Sequence, residues 1–125
     1  MRVLAILLLA VVLSGCGKSE PTLAGGKPVT YWVAALKDPD VNVRKKAAFK
    51  LGNVGTTDAA VLPALIEALK DTNAVVRREA ILALAKCGPG ATEAQSALSE
   101  VQRHDRDAQV RSYAAKALEK LQGPK

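Results

Sequence analysis

Residues 36–44 read LKDPDVNVR, and two variants follow along the 125-residue chain, LKDTNAVVR at residues 69–77 and RHDRDAQVR at residues 103–111. In each copy an Asp stands six positions before an Arg, and the three arginines are spaced by 33 and 34 residues. Self-similarity with a period of about 20–50 residues is typical of solenoids, in which each repeat packs on its neighbours. The sequence therefore predicts a stack of three repeats.

Each copy also predicts the start of a helix. A short polar side chain that can cap a first helical turn stands inside each copy, at Asp40, Asn73 and Asp107. Behind it, apolar residues recur three or four positions apart, as in Val76, Ala80 and Leu84, which is the spacing of one helix face. Gly55 and Gly88 predict where the first two of these helices end.

A further helical segment precedes each copy, over residues 29–37, 59–70 and 93–103. Thr92 and Gln95 have the spacing of a capping box for the last of these segments. Aromatic residues make up only 3% of the chain, and Ala, Leu, Lys, Arg and Glu dominate its second half, a composition that favours helices. We expect an all-α fold, a short α-solenoid of about three antiparallel helix pairs at residues 28–55, 58–88 and 91–122, with residues 123–125 as a tail.

The repeated motif, Asp-x-x-x-x-Val-Arg followed by small residues and a Leu, resembles HEAT repeats, specifically the short bacterial kind also seen in phycobilin lyases. The resemblance covers about Pro28 to Leu121. It implies a ladder in which the Asp of one repeat pairs with the Arg of a neighbouring repeat. By resemblance the members of this structural ladder are Asp38, Arg44, Asp71, Arg77, Asp105 and Arg111.

The N-terminal residues predict export. The apolar run from Val3 to Leu13 would cover roughly 16 Å as a helix, about half of a hydrocarbon core, so it fits a signal peptide and not a membrane span. Leu13-Ser14-Gly15-Cys16 follows, and it resembles the lipobox of bacterial lipoproteins. The resemblance implies cleavage of residues 1–15 and a lipid on Cys16. The alternative is an ordinary secreted protein whose leader happens to end in Cys.

Residues 16–27 are polar, rich in Gly and interrupted by Pro21, so we expect a lipidated Cys16 followed by a flexible tether. Gly17 stands where the inner-membrane retention signal of some enteric lipoproteins has Asp. The resemblance therefore favours the periplasmic side of the outer membrane over the inner membrane, in either case outside the cytoplasm.

No residue set predicts catalysis, a cofactor or a metal. His104 is the only His, and metal ligation needs several donors close together. The chain has no His-Glu pair of the kind that holds iron in some HEAT-like hydroxylases. Cys87 reads as a small core residue, since Cys16 is assigned to the lipid. With no such site, we expect no enzyme. The formal net charge of +6 comes without a basic tail, so we do not expect nucleic acid as the partner.

One surface is a candidate partner face. On the second helix of each repeat, the positions opposite the core combine basic groups with large side chains. They are Lys45, Lys46, Phe49, Arg78, Leu82, Lys86, Tyr113, Lys116 and Lys120. The same composition also fits a solvated helix face, and Phe49 could instead turn inward and pack under the first helix. Trp32 and Tyr31 are expected to cap the exposed end of the stack.

These features favour a membrane-anchored envelope lipoprotein that serves as a protein-interaction or scaffold module, with a protein partner that the sequence does not name. The alternative, from another class, is a binder of anionic envelope polymer or lipid headgroups through the basic face. Salt distinguishes the two, because electrostatic binding weakens as ionic strength rises.

Overall fold

The computed structural model describes residues 21–124, so the predicted signal peptide, Cys16 and the start of the tether lie outside the described residues. Six α-helices and one short hairpin make up this part of the chain. Their bounds are β1 Leu23–Ala24, β2 Lys27–Pro28, α1 Val29–Ala35, α2 Val41–Val54, α3 Val61–Ala68, α4 Ala74–Cys87, α5 Ala94–His104 and α6 Ala108–Gln122. Single turns of 3-10 helix follow α2 and α4, at Gly55–Thr57 and Gly88–Gly90. The predicted class, an all-α short solenoid, is confirmed.

The three predicted N-caps begin the longer helices. The Asp40 carboxylate accepts the Asn42 amide at 2.8 Å, and Asn73 accepts the Val75 amide at the same distance. Asp107 caps α6 one residue later, through a 3.0 Å bond from the amide of Val110. Each bond satisfies an amide that has no partner within the helix, and this fixes where α2, α4 and α6 start.

The predicted capping box of α5 does not form. The helix begins at Ala94, its N-cap residue is Glu93, and that residue makes no side-chain cap bond. Thr92 takes part through its backbone carbonyl, which accepts the Gln95 amide at 3.1 Å. The chain enters α5 through a turn already wound at Ala91–Ala94, so Thr92 does not reach the extended cap geometry that the motif requires.

The core lies along the row formed by α2, α4 and α6. Leu51, Leu84 and Ile81 are fully buried there, together with the Ala residues that the repeat supplies. Gly52 permits a close approach of α2 to α4, because a Cβ added to it would lie 2.7 Å from the Cβ of Ala83. A small residue at this position therefore sets how tightly α2 and α4 pack.

A hairpin covers the first helix pair. Leu23 pairs with Pro28 and Ala24 with Lys27, and both turn residues have left-handed φ values, 57° at Gly25 and 78° at Gly26. Such φ values fit a two-residue type I′ turn, for which Gly is the favoured residue. The sequence placed this segment in a flexible tether, so the packed part of the chain begins about five residues earlier than residue 28.

The hairpin is held by two hydrogen bonds. The Trp32 indole Nε1 donates to the carbonyl of Ala24 at 2.8 Å, and the Val29 amide donates to the carbonyl of Thr22 at 3.0 Å. Trp32 and Ala24 are both buried, whereas Tyr31 is 48% exposed. Trp32 thus lies beneath the hairpin, and of the two aromatic residues at this end only Tyr31 faces solvent.

Candidate partner-binding face

The arginines of the first two motifs each join two repeats. Arg44 donates from Nε and Nη2 to the Asp71 carboxylate, at 2.9 and 3.3 Å, and from Nη1 to the carbonyl of Asp38 at 2.9 Å. Arg77 repeats this arrangement one step along, with bonds of 2.8 and 3.0 Å to Asp105 and of 2.9 Å to the carbonyl of Asp71. Each guanidinium therefore holds a loop of its own repeat and a carboxylate of the next.

The aspartates of these pairs also shape their own loops. Oδ1 of Asp71 accepts the amide of Asn73, and Oδ1 of Asp105 accepts the amide of Asp107, each at 2.9 Å. Those two amides belong to the N-cap residues of α4 and α6. A single carboxylate thus connects the neighbouring repeat to the start of a helix, which is a structural task.

The two ends of the ladder lack an ion pair among residues 21–124. The Asp38 carboxylate accepts the amide of Asp40 and no arginine, although the Asp38 carbonyl accepts from Arg44. Arg111 donates to the carbonyl of Asp105 at 2.6 Å and to no carboxylate. The resemblance placed both residues in the ladder, and they have the expected positions without a neighbouring repeat to supply the partner.

Among the ladder aspartates, Asp105 has a pKa that its surroundings shift. Burial by itself would raise its pKa, but the Arg77 hydrogen bond, the Asp107 amide and the charges of Arg77 and Arg106 outweigh this effect. The net result is a pKa below the usual value of an Asp. The carboxylate therefore remains ionised as a partner of Arg77, which is itself 4% exposed.

The candidate face, formed by the nine residues named from the sequence, lies on α2, α4 and α6 and carries exposed anchors. Phe49 is 43% exposed and Leu82 40% exposed, so Phe49 does not turn inward. Tyr113 is half-buried. Lys45, Lys46, Lys86, Lys116 and Lys120 are exposed, and Arg78 is half-buried.

Cations of α4 lie over aromatic rings of both neighbouring helices. The Lys86 ammonium is 4.3 Å from the Phe49 ring centroid, and the Arg78 guanidinium is 5.8 Å from that of Tyr113. Lys86 also donates to the side chain of Asn53 at 3.2 Å. These contacts cross both repeat boundaries, so side chains of the face are partly ordered before any partner arrives.

Sequence reasoning missed one member of this face. Val75 is 36% exposed and lies three positions before Arg78 on α4, the spacing of adjacent helical turns. Helical spacing places its immediate neighbour Val76 in the core stripe of α4, and Val75 lies outside that stripe. An exposed β-branched residue in the first turn of a helix was the available signal. Val75 lies seven positions before Leu82, on the same side of α4, and extends the apolar part of the face toward the start of that helix.

Apart from the candidate face, a groove lies between α1 and α3. It has a volume of about 550 Å³ and an apolar floor, to which Val33, Leu36 and Ala64 contribute. Lys37, Glu67, Lys70 and Asp71 line it as well, and Asp71 is already held by Arg44. The groove has mixed charge, whereas the face on α2, α4 and α6 is predominantly basic.

The side chains in residues 21–124 that could bind a metal or act as a nucleophile do not form a cluster. His104 and Glu100 are exposed, with 3.9 Å between nitrogen and oxygen, and no group of three metal-binding side chains occurs within residues 21–124. Burial raises the pKa of the Cys87 thiol, and its Sγ donates to the carbonyl of Ala83. A raised pKa keeps the thiol protonated, which opposes a nucleophilic role.

None of the helices in the described part of the chain is both long and apolar enough to cross a bilayer. A search of curated proteins returns no match. The family model of HEAT repeats matches residues 29–119, which include α1 to α5 and most of α6. Because this match spans well over half of the sequence, the chain belongs to the HEAT repeat family.

Proposed function

We propose that this protein is a non-enzymatic scaffold of the bacterial envelope that binds a protein partner through the face on α2, α4 and α6. HEAT repeats suggest an interaction module. The observation that carries the choice of face is the exposure of Phe49 and Leu82 among basic side chains contributed by all three repeats. Desolvating such anchors gives affinity, and the charged rim gives orientation.

The cation–aromatic contacts support a protein partner. Lys86 and Arg78 lie over rings instead of reaching fully into solvent, and the apolar surface of Phe49, Leu82 and Val75 is open beside them. A partner with apolar side chains and an acidic rim would match both properties. A purely anionic polymer would use the cations and leave the anchors in water, so it remains the second candidate.

The face is tested by a triple change, Phe49→Ser, Leu82→Ser and Tyr113→Ser, in the full-length protein. The wild type is cross-linked in the envelope, and its partners are retrieved from detergent extract. We expect the triple variant to lose them while its circular dichroism spectrum remains helical. The matched control, Leu23→Ser with Tyr31→Ser, removes exposed apolar groups elsewhere and should retain the partners. Equal retrieval by the folded triple variant contradicts the assignment.

Salt and charge distinguish the alternative. If the face binds anionic polymer or headgroups, binding falls steeply with ionic strength, and Lys46→Glu with Lys116→Glu abolishes it. The control reverses two exposed lysines in the turns after α1 and α3, Lys37→Glu with Lys70→Glu. Binding that survives high salt but fails in the triple Ser variant supports a protein partner.

The lipid on Cys16 is proposed from the sequence resemblance, with the outer membrane favoured as the location. Diacylated anchors hold a protein on a membrane stably, where a single chain does not. Cys16→Ser should move the protein from the detergent phase to the aqueous phase in a partition assay. Persistence in the detergent phase would place the anchor elsewhere. Fractionation of inner and outer membranes tests the location.

A further inference from the structure

The hairpin end of the stack carries the most exposed large apolar side chain among residues 21–124. Leu23 on β1 is 59% exposed, and Tyr31 on α1 is 48% exposed. Leu23 pairs with Pro28 across the hairpin, and Tyr31 lies three positions after Pro28 at the start of α1. The register therefore brings Leu23, Pro28 and Tyr31 to one end of the molecule, where the hairpin packs on α1 and α2.

This end is also rigid, since the Trp32 indole and the Val29 amide fix the hairpin to α1. Ala24, on the opposite side of the strand from Leu23, is buried against the helices. Leu23 is therefore held outward by the pleat. The hairpin geometry thus fixes the exposure of Leu23, whereas the exposure of a side chain in a flexible tail would vary.

The charge around these side chains is positive. The Lys27 ammonium lies 5.2 Å from the Tyr31 ring centroid. Lys50 approaches the turn from α2, since a Cβ at Gly25 would be 2.8 Å from its Nζ. Residues 21–37 contain Lys27 and Lys37 and no acidic residue. An apolar side chain, a Tyr and basic groups without acids are a composition suited to an anionic bilayer interface.

The short segment between Cys16 and Thr22 would keep the same end of the domain close to a membrane. Cys16 stands six positions before Thr22, whose carbonyl is bonded to the start of α1. Six residues span at most about 22 Å when fully extended. If Cys16 is lipidated, no other part of the repeat domain is attached so closely to the bilayer.

We propose that this end, with Leu23 and Tyr31 as insertion residues and Lys27 and Lys50 as headgroup contacts, docks on an anionic lipid surface. The inference rests on the proposed lipid anchor and deepens it. The first helix pair then lies against the bilayer, the α5–α6 pair lies farthest from it, and the part of the face on α4 and α6 is left for a protein partner.

Trp32, the only Trp, lies beneath the hairpin and reports on this docking. The lipidated protein is reconstituted into vesicles of phosphatidylethanolamine and phosphatidylglycerol that contain a dansyl-labelled headgroup lipid. Energy transfer from Trp32 to dansyl is measured against unlabelled vesicles for each variant, which corrects for altered Trp emission. We expect strong transfer in the wild type and a marked loss in Leu23→Ser with Tyr31→Ser.

The control, Leu82→Ser with Tyr113→Ser, changes equally large side chains on the partner face and should transfer like the wild type. All variants must remain helical and float with the vesicles. Unchanged transfer in the folded, vesicle-bound Leu23/Tyr31 variant overturns the docking proposal while leaving the anchor intact. Lys27→Glu should reduce transfer less, and its effect should disappear at high salt.

Failure of the anchor gives a different result. If mass spectrometry finds no lipid on Cys16, or if the purified protein does not float, the proposed anchor is wrong. Docking is then decided by sedimentation of Cys16→Ser protein with the same vesicles at low salt. Salt-sensitive sedimentation that is lost in the Leu23/Tyr31 variant supports the docking surface, and no sedimentation overturns it.

Discussion

Arg44 and Arg77 each make two kinds of contact, one within their own repeat and one with the next. Arg77 satisfies the carbonyls of its own loop and binds the carboxylate of the following repeat in bidentate fashion. Since Asp105 in turn accepts an amide of its own loop, removing the guanidinium disturbs two loops. Arg111 makes the first kind of contact and not the second. The chain thus contains an internal comparison between a complete and an incomplete version of the same arrangement.

Arg77→Ala should lower the free energy of unfolding by about 1–3 kcal/mol, because it leaves a carboxylate and loop carbonyls without their donor. Arg111→Ala should cost less than Arg77→Ala. Leu84→Ala, a core truncation, should cost about 2–5 kcal/mol, and exposed Lys45→Ala should cost little. Thermal melts of residues 21–125 give the order. An Arg77→Ala melting point equal to that of wild type would remove the ladder from the account of stability.

Acidification should weaken the Asp105 pair. Its pKa is lower in the folded protein than in the unfolded chain, where an Asp titrates near about 4. The stabilisation is therefore present above that pH and is lost as the pH falls through the folded-state pKa. Asp105→Asn should be clearly less stable than wild type at pH 7 and approach it in strong acid. Denaturant melts across this range test the convergence, and a constant difference would contradict it.

Most of the helical elements could be predicted from the sequence, because each depends on local chemistry. Asp40, Asn73 and Asp107 cap their helices as the repeat spacing indicates, and Gly55 and Gly88 follow α2 and α4 as predicted. The first helix of each pair, α1, α3 or α5, ends one or two residues from its expected bound. The final turns of α1 and α3 tighten into hydrogen bonds between residues three positions apart.

The hairpin could not be predicted in the same way. Its strands have two residues each, too few to show alternation, and the Gly-rich segment has the composition of a linker. Gly25-Gly26 was the one available signal, since a Gly-Gly pair is favoured in two-residue turns. What stabilises the hairpin is tertiary, namely the buried bond from Trp32 to Ala24, and that contact leaves no local pattern.

Helical spacing predicts which residues of the candidate face lie opposite the core, but it does not predict the contacts among them. Helical spacing placed Phe49 and Leu82 opposite the core, yet it could not decide whether Phe49 turns inward. The answer depends on Lys86, 37 positions later, which covers the ring and lets it remain at the surface. Contacts between repeats of this kind are set by the packing of α2 on α4, which periodicity within one helix does not contain.

Removing the first strand should destabilise the first helix pair. A fragment of residues 27–125 lacks Leu23 and Ala24, so the Trp32 indole loses its acceptor and its cover. We expect a loss of about 1–2 kcal/mol relative to residues 21–125, together with a red shift of Trp32 emission in the folded state. Equilibrium denaturation followed by Trp fluorescence measures both. Identical emission and midpoints would show that the hairpin contributes nothing to the fold.

At the scale of the whole molecule, the three helix pairs form one continuous core. Stability in a repeat stack is approximately a sum of repeat terms and neighbour interfaces. Within residues 21–124 there are two such interfaces. On one side α2 packs on α3 and α4, and on the other α6 packs on α4. Within residues 21–124 the middle repeat is therefore the one with a neighbour on both sides, and it contains Arg77, the single buried charged residue among those described.

A chain that ends at Gly90 should lose cooperative folding. The deletion removes α5 and α6, uncovers the side of α4 that packs on α6, and leaves the Arg77 guanidinium without Asp105. A domain of this size has a total stability of roughly 5–10 kcal/mol, so the loss of one of its two interfaces consumes a large share of it. We expect weak helical circular dichroism and a broad, shallow thermal transition for residues 21–90, beside a sharp transition for residues 21–125. A sharp melt of the shorter fragment, with helicity in proportion to its two pairs, would mean that each repeat interface is far stronger than its small Ala-rich contacts indicate.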